Sequence, residues 1–182
     1  MMKSLHIFCV IIAFGLASAQ GAVPASANSP PNSSDFIEPA SGLSPEEVVE
    51  IQLLGLQAAG TDRRAGIEQV WRFAHPDNRK MTGPISRFSQ LFDLPAYAPL
   101  IGLQDYVIND RKLSDTEARF VITIRARDGG AYGYVWSLRP LPASLAPDTD
   151  VKADKSQDES PQQGQFIWMT TAVSAPYAGG GS

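Results

Sequence analysis

The sequence predicts an α+β domain, with about three N-terminal helices packed on a bent four-stranded antiparallel sheet. Three observations carry this. Apolar residues recur at spacings of three and four as far as Phe92, and at spacings of two from Leu103 onward. Asp128-Gly129-Gly130 lies between two alternating runs and suits a hairpin turn. No repeat with a period of about 20 to 50 residues is visible, which argues against a solenoid.

The first helix is expected over residues 45–59. Ser44 can cap its free amides, Pro45 fits the first position and Glu47 completes a capping box. Val48, Ile51, Leu54 and Ala58, flanked by Val49, Leu53 and Leu56, give it an apolar face wide enough to cover a sheet. Gly60 ends it. Thr61 or Asp62 caps a second helix running to about Ala74, with Ile67, Val70, Trp71 and Ala74 inward. His75-Pro76 is its expected stop, because a residue before proline is pushed out of the helical region. Asp77 and Asn78 suit the turn that follows. Thr82-Gly83-Pro84 restarts a helix whose buried stripe is Ile85, Phe88, Leu91 and Phe92. Pro95 and Pro99 kink the connection beyond it, with one turn expected at 97–101.

Tyr106 and Ile108 mark a first strand. Ala118, Phe120, Ile122, Ile124 and Ala126 line one face of a second. Tyr132, Tyr134, Trp136 and Leu138 line a third, with Gly133 opposite them marking a bend. The last strand, 165–173, sets Phe166, Trp168 and Thr170 against Ile167, Met169 and Thr171. The aromatics on these strands are expected mostly in the core.

Around this domain, residues 1–19 read as a signal peptide. They have Lys3, an apolar run from Leu5 to Leu16 that is shorter than the roughly 20 residues of a membrane span, and Ala17-Ser18-Ala19 as a cleavage site. Residues 20–43 read as a flexible linker. Residues 44–175 are the single domain, with a disordered acidic loop at 141–163, and residues 176–182 are a flexible tail. The expected location is exported, periplasmic or extracellular, with no stable membrane anchor after cleavage.

Cleavage removes Lys3, His6 and Cys9, taking the formal charge from −4 to −5 and leaving one histidine and no cysteine. No disulfide can then staple the fold, so a packed core must hold it. A mildly acidic chain gives no reason to expect nucleic acid. A single histidine without cysteine is a poor basis for a metal site. No phosphate cradle or nucleophile elbow is present, so no cofactor is expected.

The densest chemistry lies between Trp71 and Phe88. His75 has two readings, a cap on the last carbonyls of the second helix or a general base. Arg72, Arg79 and Arg87, with Lys80, are expected near the free amides that open the third helix. They either form a solvated face paired with Asp77 and Glu68, or hold an anion. Arg72, His75, Asn78, Arg79 and Arg87 are therefore the candidate ligand-binding residues.

SPEEVVEIQLLGL, FAHPDNRKMTGPISRF, YAPLIG and the closing WMTTAV together resemble the family called domain of unknown function 4864. The resemblance covers about residues 43–173 apart from the acidic loop. It implies a small secreted or organelle-targeted protein, and the element order resembles the cone-shaped nuclear transport factor 2-like fold. Neither implies a particular activity. The position before the proline usually holds a small or hydroxyl residue in that family and is His75 here, so a shared catalytic role for it is not implied.

Two functions are expected. One is a non-catalytic exported module binding a small acidic ligand or a protein partner. The alternative is a cofactor-free lyase or isomerase, with an Asp/Tyr/His set such as Asp105, Tyr97 and His75 converging in a cavity.

Overall fold

The apolar periods resolve into helices and strands much as their spacing suggests. The computed structural model describes residues 36–145 and 166–174, all within one compact unit spanning Pro31–Ser182. The signal peptide, most of the linker, most of the acidic loop and the tail lie outside the described residues.

Helix α1 (Pro45–Ala58) starts on the expected capping box, with Ser44 Oγ accepting from Glu47 N and the Glu47 carboxylate accepting from Ser44 N. Its buried face is rotated from the expected one. Val49, Gln52, Leu53 and Leu56 point inward, while Leu54 is half exposed. Helix α2 (Arg63–Arg72) is capped by Asp62, which accepts from Ala65 N, and it buries Gly66, Ile67 and Val70.

His75-Pro76 does more than stop α2. It opens a helix, α3 (Pro76–Thr82), with His75 as N-cap and Pro76 at the first position. Asp77 and Asn78 are therefore helical rather than a turn, and the described residues hold four α-helices rather than three. The residue pair that ends one helix also satisfies the start signal for another, since proline has no amide to leave unpaired in a first turn. Gly83, at φ +82, ends α3 in a conformation that favours glycine. Helix α4 (Ile85–Leu91) follows from Pro84 and buries Phe88, and a 3-10 turn over Ala98–Leu100 leads to the sheet.

Strands β1 (Asp105–Leu113), β2 (Ala118–Arg125), β3 (Ala131–Pro142) and β4 (Phe166–Ser174) form an antiparallel sheet in the order β1-β2-β3-β4. Every other residue of β2, from Ala118 to Ile124, is fully buried. The β2–β3 turn uses Gly129 at φ +83, and Asp128 Oδ1 accepts from Gly130 N. Pairing is regular at Gly133, opposite Thr123. The irregularities fall elsewhere, between Ile108 and Asp110 and between Ser137 and Leu138.

Strand β3 runs further than expected, through Pro140 to Pro142, with a 3-10 turn at Ala143–Leu145, so the acidic loop does not begin at 141. Beyond Leu138 it has lost β2 and pairs only with β4, and a strand tolerates proline along such an open edge. Phe166, expected in the core, is half exposed on this extension. Ile167 and Met169 are buried instead, packed with Leu141 on the face opposite Leu138.

The main core joins both layers. Val48, Val49, Leu53 and Leu56 of α1 and Ile67 and Val70 of α2 pack with Phe120, Ile122, Ile124, Tyr134, Trp136 and Leu138 of the sheet. Among the described residues, no helix is long and apolar enough to cross a membrane.

Candidate functional site

The stretch that follows α2 is built against β4. Thr170 N donates to Phe73 O at 2.8 Å and His75 N donates to Thr170 O at 2.9 Å, so Ala74 forms a short parallel bridge along the sheet edge. That seals an edge that would otherwise present unpaired backbone groups. Asn78 Nδ2 also donates to Thr170 O, at 3.2 Å. Asn78 thus ties α3 to a strand 92 residues away rather than bonding within a local turn.

The candidate ligand residues do not converge. Arg79 donates to Trp71 O (3.0 Å) and Arg72 O (3.2 Å) and sits over the Trp71 ring. The last carbonyls of α2 are thus held by Arg79, where the sequence suggested His75. Arg72 turns the other way, pairing with Glu38 and with Glu68 (3.1 Å) beneath the ring of Phe36. Lys80 pairs with Asp77 at 3.1 Å. Arg87 is exposed, its stem running past Gly83.

His75 is buried, and its Nδ1 accepts from Asp77 N at 3.2 Å. An accepting nitrogen means a neutral ring. Burial holds its pKa below the usual histidine range, with Arg139 and Lys80 acting in the same direction and Asp77 opposing them.

Under these elements lies a fully buried polar network. Gln52 Oε1 accepts from Trp136 Nε1 (3.1 Å) and from Thr170 Oγ1 (2.7 Å), and Gln52 Nε2 donates to Val70 O (3.1 Å). One carboxamide therefore joins α1, α2, β3 and β4. The apolar spacing of α1 does not by itself single out Gln52. Its place three residues after Val49 and four before Leu56 was the available signal.

The network borders a cavity of about 220 Å³ between α3, α4 and the β3–β4 end of the sheet. Val70, Phe88, Leu91, Phe92, Leu100 and Val173 supply much of its apolar wall, and Gln52, Asn78, Thr82, Tyr97, Trp136, Thr170 and Thr171 supply its polar atoms. Of the five candidate residues, Asn78 alone lines it. Tyr97 reaches across to donate to Val173 O at 3.2 Å.

Tyr134, behind this wall, donates to Ala96 O at 2.9 Å, and burial pushes its pKa up to about 12. Among the described residues, none lining the cavity carries a carboxylate, imidazole, amine or guanidinium. The acid–base set does not assemble. Asp105 is exposed on β1, 3.5 Å from Arg125, whereas His75 sits at the β4 edge. No group of three or more metal-ligating side chains occurs among the described residues.

Compared with family models, with curated proteins and with solved structures, the chain matches none.

Proposed function

We propose that this chain is an exported, non-catalytic binding module that holds a small, predominantly apolar ligand in the cavity between α3, α4 and the β3–β4 end of the sheet. The observation that carries this reading is the lining itself, an apolar wall with neutral polar points and no described group suited to exchange protons near neutral pH. Two of the three arginines expected to hold an acidic ligand are engaged elsewhere. Arg79 caps α2, Arg72 is paired with carboxylates, and Arg87 lies in solvent.

Kinship with domain of unknown function 4864 is part of the proposal. The stretches that carry the resemblance also line the cavity: Gln52 and Leu56 from the first, Ala74, Asn78, Thr82 and Phe88 from the second, Tyr97 and Leu100 from the third, and 170–173 from the fourth. Export rests on the Lys3, apolar-run and Ala17-Ser18-Ala19 pattern.

The test is native mass spectrometry of protein secreted into a bacterial periplasm, together with titration of N-phenyl-1-naphthylamine, an uncharged apolar fluorophore. Ala74→Leu and Thr82→Trp, checked by circular dichroism, narrow the cavity from two sides. A saturable fluorophore signal that both folded variants weaken is expected. A signal absent from the parent, or unchanged in both variants, would remove the cavity as the site.

A further inference from the structure

Resting on the reading of the cavity as a ligand site, we infer that its ligand is an uncharged apolar molecule bringing a hydrogen-bond donor, a hydroxyl or N–H, and that the matching carboxylate is rejected. The argument follows the protons. A backbone carbonyl can only accept, so the Asn78 carboxamide must offer Nδ2 to Thr170 O, which turns Oδ1 away from that bond. An indole nitrogen can only donate, so Gln52 must offer Oε1 to Trp136, and this leaves Nε2 for Val70 O. With Oε1 fixed as an acceptor, the Thr170 hydroxyl 2.7 Å away must donate to it.

The other hydroxyls leave no more freedom. Tyr97 donates to Val173 O (3.2 Å), Thr82 to Asn78 O (2.8 Å) and Thr171 to Ser137 O (3.0 Å). Each of these acceptors is a carbonyl, so the direction of every bond is set. The described lining has therefore committed all its hydroxyl and indole protons to the protein. A ligand is left the hydroxyl lone pairs and Asn78 Oδ1, set against one spare hydrogen on each of two carboxamides.

Such a surplus of acceptors selects by charge and by donor. A carboxylate entering the cavity gives up hydration and needs donors or a cation in exchange. Here it meets more side-chain lone pairs than protons, with the two spare carboxamide hydrogens the uncommitted side-chain donors, and no described lining residue is cationic. A neutral alcohol or secondary amide places its apolar body on the wall and its proton on a waiting oxygen. The acidic ligand suggested by the arginine-rich stretch is the class this lining excludes.

The test uses three probes with one hydrocarbon chain, displacing N-phenyl-1-naphthylamine from the secreted protein at neutral pH. Decanol is neutral with a donor, methyl decanoate neutral without one, and decanoate charged. Decanol is expected to displace the fluorophore at a concentration about tenfold below that of the ester, a difference of about 1.4 kcal/mol, with decanoate weaker than both. An ester equal to the alcohol would overturn the donor requirement, and decanoate equal to or better than the alcohol would overturn the exclusion of charge. Either result leaves the cavity as a binding site. Failure of all three, with the fluorophore itself unbound, would overturn the cavity reading and this inference with it.

Discussion

Thr170 donates its hydroxyl to Gln52 Oε1 over 2.7 Å, joining the edge strand to the first helix across 118 residues of sequence. The same residue's backbone N–H and C=O hold Phe73 and His75, so Thr170 fixes the chain between α2 and α3 on one side and α1 on the other. Both residues line the cavity, and together they tie its α1, α2 and β4 sides to one another.

Gln52→Leu should therefore be costly although leucine is apolar and of similar size. It strands Trp136 Nε1 and Thr170 Oγ1 in the core, while Val70 O keeps only Phe73 N, and an expected loss of about 2–4 kcal/mol follows from leaving buried groups unpaired. Thr170→Val removes a donor but leaves Gln52 its other two bonds, so about 1 kcal/mol is expected. Urea unfolding of both variants gives the comparison. Equal losses would mean that Gln52 is not the centre of the network.

Arg79 gives a test of scaffold against site. Its guanidinium holds two terminal carbonyls of α2 and lies over Trp71, so Arg79→Ala should lower stability by about 1–2 kcal/mol. Fluorophore affinity should not change, since Arg79 does not line the cavity. Arg79→Ala with full stability and lost binding would return the arginine to the ligand site.

His75 makes stability depend on pH in a known direction. Its folded pKa is depressed, chiefly by burial, so the folded state prefers the neutral ring more than the unfolded chain does. The contribution is fully present above the unfolded value of about 6.5 and is lost as pH falls through the lower folded value. Protonation also removes the acceptor that caps Asp77 N. His75→Ser keeps an N-cap oxygen, should cost no more than about 1 kcal/mol at neutral pH, and should flatten the fall in stability between pH 7 and 5. An unchanged slope in that variant would assign the acid sensitivity to other groups.

The fold class was legible because β2 alternates without interruption from Ala118 to Ile124 and α1 opens on Ser44-Pro45-Glu46-Glu47. Those signals are local. The candidate site was not legible for two reasons that are not. At His75-Pro76 the stop and start signals coincide, and nothing local tells that a new helix begins there, docked through His75 N on Thr170 O. Gln52 looks like a solvent residue until the helix is rotated to bury it, and that rotation is set by partners 84 and 118 residues away. The arginines show the converse. Charged side chains close in sequence can turn to separate partners, as Arg72 does to Glu38 and Glu68 and Arg79 does to the carbonyls of Trp71 and Arg72.

The crossing of α1 and α2 carries a prediction that opposes helix propensity. Gly66 lies inside α2, where alanine ordinarily gains about 1 kcal/mol by stiffening the unfolded chain and favouring the helix. Here a methyl on Gly66 would fall 2.4 Å from Gly55 O and 2.6 Å from both Ala59 Cβ and Ala59 N. Two of those atoms are backbone and cannot swing aside, so α1 and α2 would have to separate. Separation pulls Gln52 from Val70 O and opens the wall that both helices give to the cavity. Gly66→Ala should therefore lower stability by about 1–3 kcal/mol despite the propensity gain, and should weaken fluorophore binding as well. Gly133→Ala is the control, because nothing lies within 4 Å of the added methyl and the strand there is regularly paired. It should be neutral or slightly stabilising in the same urea titration. A Gly66→Ala variant as stable as the parent would show that the helices do not approach this closely, and the cavity wall would have to be redrawn.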